Sequence, residues 1–212
     1  MNEYAEIIGY KELEQGTKLA VIIPEKALGE YLKRFATNGI VKAELRLDDG
    51  RTITAEQRKK AYATIKDIAF YTGYLPEEMK EIMKYNYIIE TGEDYFSLSN
   101  CSMSTARLYI NFLIEFAFKW DIPLLDHGLN RTDDIGKYLW QCLKFKKCAI
   151  CGKDGECHHV DAIGMGRDRT KVDDSNHEKI SLCRIHHSEA HTIGWDTFAD
   201  KYHVYGIVFT EE

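Results

Sequence analysis

The 212-residue sequence has no apolar run of membrane-spanning length; its longest apolar stretches are broken by Asn111, Glu115 and Lys119. It also has no excess of basic charge. Lys and Arg number 28 against 34 Asp and Glu, a net charge of −6, so bulk electrostatics give no hold on a polyanion. Dividing the chain recovers no basic half, because residues 131–212 carry 12 Lys and Arg against 14 Asp and Glu. Contact with phosphates would have to come from local clusters such as KFKK (144–147) and RDRTK (167–171), for which a solvated charged face is the alternative. The opening MNEYAEIIGYKELEQG is acidic and has no basic-then-apolar leader. There is no internal repeat and no low-complexity tract. These absences argue against a membrane or secreted protein and predict a cytoplasmic one. In that compartment six Cys are thiols or metal ligands rather than disulfides.

The first fifty residues read as β-rich. LAVIIP (19–24) and VKAELRL (41–47) have strand composition, and Asp48-Asp49-Gly50 closes the second. Between them EKALGEYLKRFATNG has helical spacing and ends at Asn38-Gly39. A helical block follows. Thr54-x-x-Gln57 has the form of a capping box, and Ala61, Tyr62, Ile65, Ile68 and Ala69 line one face before Gly73. Pro76 opens a second helix with Met79, Ile82 and Met83 inward. A third, about Ser104 to Trp120, is apolar nearly all round, which predicts burial on several sides, by the domain core or by a second copy of the chain. Pro, Gly and a charge shift in DIPLLDHGLNRTDD (121–134) mark a junction, after which a helix runs from about Asp134 to Phe145. The expected organisation is a domain at 1–125, a linker and connecting helix at 126–147, and a second domain at 148–212.

What is abundant is concentrated at 148–159, CAICGKDGECHH, and 183–191, CRIHHSEAH. Cys148-x-x-Cys151 and Cys183-x-x-His186 offer four soft-to-borderline donors from two knuckles, the composition of a closed structural zinc site. His187 and His191 stand at i, i+4 and share one face of a helix. Were His187 the zinc ligand that pair would be lost, so His186 belongs with the cysteines. One of His158 and His159 can complete a three-imidazole site with His187 and His191, leaving coordination positions open. The other is then placed to deprotonate water. Two satisfied surface histidines are the alternative. Cys101, Cys142 and Cys157 have no knuckle partner and read as small buried hydrophobes.

The order knuckle, HH, loop, LC-x-x-HH-x-x-x-H resembles the HNH endonuclease family over residues 145–195. The resemblance implies an α+β protein: an N-terminal small sheet plus helices, then a C-terminal ββα-metal (HNH, His-Me finger) domain with structural zinc. It makes His159 the general base, His158, His187 and His191 the ligands of a catalytic divalent metal (Mg²⁺, Mn²⁺, Zn²⁺ or Ni²⁺), and His177, or Asn176 behind it, the residue that orients the base. Arg167, Arg169 and Arg184 are the candidate DNA phosphate contacts, with a surface salt bridge as the alternative for each. The implied reaction is metal-assisted phosphodiester hydrolysis in DNA.

Residues 41–124 resemble the NinB (Orf) family of phage recombination mediators in their order of elements: strand, RTITAEQRKKAYATIKDIA, Pro-led helix, FSLSNCSMS and long helix. That resemblance implies a homodimer acting on duplex, branched or single-stranded DNA, and contact with a host single-strand-binding protein. Together the two halves look like phage-encoded HNH nucleases with a NinB-like front. Arg51, Arg58, Lys59 and Lys60, gathered at the first long helix, are further candidate phosphate contacts. The rival reading is a zinc-stabilised DNA-binding accessory protein that does not cut.

Overall fold

The computed structural model describes residues 6–23, 50–160 and 177–210, with positions 29, 32, 33, 36, 40 and 41 between the first two stretches. β1 (Glu6–Leu13) and β2 (Gly16–Ile22) form an antiparallel hairpin. Leu13 faces Gly16 across a two-residue turn, and the ladder is irregular between Ile7 and Gly9. LAVIIP largely coincides with β2. β1 was not expected, because EIIGYKEL carries a central glycine and no clean alternation. Of the helix expected at 25–39, Gly29, Leu32 and Lys33 are helical and Ala36 is not; its other residues, and the strand expected at 41–47 beyond Val41, which is itself not in a strand, lie outside the described residues.

The helical block is built as its end signals dictate. α1 (Ala55–Thr72) starts at a complete capping box: Gln57 N–H donates to Thr54 Oγ1, and Thr54 N–H to Gln57 Oε1, both at 3.0 Å. It stops at Gly73 in the left-handed conformation. α2 (Pro76–Thr91) begins at its proline, and α3 (Met103–Lys119) is capped by Ser102. α3 packs against α1 and α2 on one side and the later α5 on another. Its apolar circumference is therefore used within the chain. Tyr87, Phe96, Tyr109 and Phe112 meet edge to face around it, with centroids 5.1–5.6 Å apart in the closest pairs.

The segment at 121–134 is packed down. It contains the short α4 (Gly128–Arg131). Arg131 and Asp67 form a buried ion pair at 3.0 Å, and Leu125 N–H donates to the same carboxylate. Lys60 donates to the Thr132 carbonyl at 2.8 Å, and Arg58 to the carbonyls of Leu98 and Ser99. Two of the basic residues expected to meet phosphates thus hold the chain's own loops.

α5 (Ile135–Lys144), capped by Asp134, lies between α3 and the C-terminal sheet. That sheet has the order β3 (Glu156–His159), β4 (Glu178–Leu182), β5 (Ile207–Val208), antiparallel throughout. α6 (Arg184–Ile193) follows β4 directly, and Gly194 separates it from α7 (Trp195–Tyr202). One hydrophobic cluster runs from Ile53 in the helical half through Tyr138 and Leu139 to Ile180, Leu182 and Phe198. No helix among the described residues is long and apolar enough to cross a membrane.

Candidate metal centre

The first knuckle is a tight turn. Gly152 takes the left-handed conformation and donates to the Cys148 carbonyl at 2.9 Å, while Cys148 N–H donates to the Lys153 carbonyl at 2.7 Å. A side chain at Gly155 would meet Ser181 Oγ at 2.6 Å, so glycine lets the turn lie against β4. Ala149 N–H donates to the Ser181 carbonyl, and the Tyr138 hydroxyl to the Ala149 carbonyl. The second knuckle is the β4–α6 junction, with Cys183 at the helix N-cap and His186 in the first turn.

Together the knuckles place one donor atom each from Cys148, Cys151, Cys183 and His186 within 4.8 Å of one another, a set that could hold a metal ion. Cys151 Sγ is 3.7 Å from Cys183 Sγ. A tetrahedron with Zn–S bonds of about 2.3 Å has S···S edges of roughly 3.8 Å. His186 Nδ1 faces Cys183 Sγ at 3.2 Å and Cys148 Sγ at 3.4 Å. Burial pushes the Cys148 thiol up to about 12. Burial also works against the Cys183 thiolate, yet its hydrogen bonds, led by the backbone N–H of His186, hold it below the ordinary thiol value. A cation is what would make the set ionise together.

The second cluster lies at the other end of β3. His158, His187 and His191 bring one imidazole nitrogen each within 4.8 Å of the others. The ring centroids are 4.7 Å (158–187), 4.9 Å (158–191) and 5.0 Å (187–191) apart. The helical i, i+4 spacing stacks the last two, and the buried His158 supplies the third from the strand. Burial first, then the neighbouring imidazoles, hold His158 down at about 4, so its imidazole is neutral at pH 7. Its Nδ1 is buried without a hydrogen-bond partner, an orphaned polar atom of the kind an ion resolves.

Glu156, two residues before His158 and on the same face of β3, accepts from His187 Nδ1 at 2.6 Å. Sequence reasoning missed this residue. The bond leaves His187 Nε2 free for a metal, the tautomer control that carboxylates exert on metal-binding histidines. His187, reciprocally, is the first cause holding the Glu156 carboxyl below its ordinary value.

His159 is outside the converging trio. As the strand neighbour of His158 it leaves β3 toward the other face, directly across from the buried Lys179. His177 is one residue before β4. Arg184 is exposed at the start of α6, 3.6 Å from Glu156. Arg167, Arg169 and Asn176 lie outside the described residues. One expectation fails: Cys157 is exposed, unlike Cys101 and Cys142, because it alternates out of a short strand while the other two sit among core side chains.

An antiparallel ribbon feeding a helix, with imidazoles from strand and helix converging and a Cys/His knuckle bracing the base, is the ββα-metal class of nuclease fold. The sequence profile of the family HNHc_6, described as "Putative HNHc nuclease", matches residues 29–212. The chain belongs to that family, and the match takes in α1–α3 as well as the finger. Searches of curated proteins and of solved structures return no match.

Proposed function

We propose that this protein is a metal-dependent DNA endonuclease whose catalytic ion is held by His158, His187 and His191, and whose finger is stapled by zinc on Cys148, Cys151, Cys183 and His186. The convergence of the three imidazole donors within 4.8 Å carries the reading, since a purely structural zinc module has no use for it. A divalent ion held by His158, His187 and His191 would supply positive charge that stabilises the negative charge developing at the phosphate.

The chain's own residues do the rest. The scissile phosphate straddles the end of β3, with the trio on one side and His159 on the other. His159 accepts the proton of the attacking water as the P–O bond to that water forms and the P–O3′ bond opposite breaks. A proton from solvent completes the 3′ hydroxyl. Glu156 orients His187, and we assign Arg184, exposed beside Glu156, to a flanking phosphate. We assign His177 to orienting His159, on the resemblance to HNH enzymes. Three imidazoles favour a borderline transition ion over Mg²⁺. Branched or recombining DNA is the inferred substrate, from the resemblance of residues 41–124 to recombination mediators.

The test is cleavage of plasmid and branched DNA with Mg²⁺, Mn²⁺, Zn²⁺ or Ni²⁺. His159→Ala should lower the rate by roughly 10²–10⁴-fold while keeping zinc content and DNA binding. If the unaltered protein cuts neither DNA with any of the four ions, the catalytic reading is wrong and a zinc-stapled binding module remains.

A further inference from the structure

Resting on the nuclease reading, we propose that the groove between the helical half and the finger receives an unpaired DNA strand flanking the cut, with Tyr71 as its stacking platform. The groove is an open depression of about 660 Å³ between Tyr71 at the end of α1, Asp121 after α3, Lys147, Lys153 and Asp154 of the knuckle, and Arg184 and Ile185 of α6, with the candidate ligand Cys183 in its wall. A recess of about 350 Å³ continues from it past Asp121, Pro123, Lys147 and Lys153 toward Phe118, Leu124 and Tyr138. Arg184, on the border of the groove, lies 3.6 Å from Glu156, and Glu156 in turn accepts from His187.

The charge balance decides between duplex and single strand. The Lys147 ammonium is bound by both Asp121 and Asp154, so it has little left for phosphate. Arg184 leans on Glu156, and Lys153 is an exposed cation with no ion pair among the described residues. A duplex presents phosphates outward and keeps its bases stacked, so a groove close to electroneutral offers it little. An unpaired strand presents bases, and for these the groove has an aromatic ring and apolar wall. Tyr71 is 56% exposed and Ile185 71%, and Tyr71 stacks on no other ring among the described residues. Aromatic side chains with a few cations are how single strands are held without sequence readout.

The experiment measures binding, so it does not depend on cleavage. In full-length protein carrying His159→Ala, the affinities of a blunt duplex and of a fork with ten unpaired nucleotides are compared by fluorescence anisotropy. The fork should bind more tightly. Adding Tyr71→Ala should weaken fork binding about tenfold and leave duplex binding and the melting temperature unchanged, whereas Tyr71→Phe should keep the preference. Lys153→Glu should also weaken the fork more than the duplex. Equal affinity for fork and duplex, equal loss on both in Tyr71→Ala, or a Tyr71→Phe variant as weak as the alanine one overturns the proposal. Failure of the unaltered protein to cut DNA would instead overturn the reading on which it rests.

Discussion

Glu156 accepts a 2.6 Å hydrogen bond from His187 Nδ1–H, which commits the imidazole to presenting Nε2. Glu156→Ala should therefore weaken metal binding at the trio by about 10–100-fold in calorimetry, with the zinc content of the knuckle unchanged. Loss of zinc, or no loss of affinity at the trio, would contradict that role. His158 carries a pH signature. Its folded-state value is depressed to about 4, while the unfolded chain titrates near 6.5. Between those values the unfolded state binds the extra proton, so metal-free protein should lose stability as pH falls from about 6.5 to about 4 and lose nothing further from this group below that. His158→Phe should flatten that slope in urea titrations; an unchanged slope places the titration elsewhere. At this scale the two clusters of seven Cys and His donors were legible because x-x spacing closes a knuckle turn and i, i+4 spacing follows helix pitch. Glu156 was not: its partner is 31 residues away, and nothing local marks a carboxylate in ECHH as facing the later helix. Cys157 misled for a related reason, since burial of a lone thiol depends on which face of a short strand is covered.

Gly128 begins α4 beneath the ring of Tyr138, and a Cβ at that position would come within 2.3 Å of the hydroxyl oxygen. Tyr138 is fully buried and its hydroxyl donates to the knuckle at the Ala149 carbonyl, so the ring cannot give way cheaply. Gly128→Ala should cost about 1–3 kcal/mol by chemical denaturation. Gly152→Ala, strained by its left-handed backbone rather than by contact, should cost about 1 kcal/mol. If the first substitution were no worse than the second, the packing of α4 under Tyr138 would be wrong. The helices were readable from their ends: the Thr54 capping box, Gly73 and Pro76 each sit where chain stereochemistry needs them. β1 was unreadable because a two-stranded hairpin exposed on both faces imposes no alternation of apolar and polar residues.

Across the whole molecule, the Cys/His knuckle is bonded to parts of the chain outside the two donor clusters. Ala149 reaches β4, Tyr138 reaches the knuckle from α5, and His127 Nδ1 lies 2.8 Å from the Ile150 carbonyl. The hydrophobic cluster likewise passes through α5 from helices to finger. Loss of the zinc should therefore be felt beyond the finger. Cys148→Ser should abolish stoichiometric zinc and lower the melting temperature by upwards of roughly 10 °C, in one transition that includes the helical half. A separate low-temperature transition of the finger alone would contradict this coupling. The composition of 121–134 suggested a junction, and Pro and Gly do turn the chain there. What composition could not reveal is that Asp67 and Lys60, far upstream, bind that segment down.

The central claim is that the chain grips two ions for different purposes. Anomalous diffraction from crystals grown with Mn²⁺, recorded at the zinc and manganese edges, tests it directly. The account predicts a zinc peak among Cys148, Cys151, Cys183 and His186, and a second, exchangeable peak within bonding distance of His158, His187 and His191. Full occupancy of the knuckle with no density among the three imidazoles, at saturating Mn²⁺ and neutral pH, would contradict it.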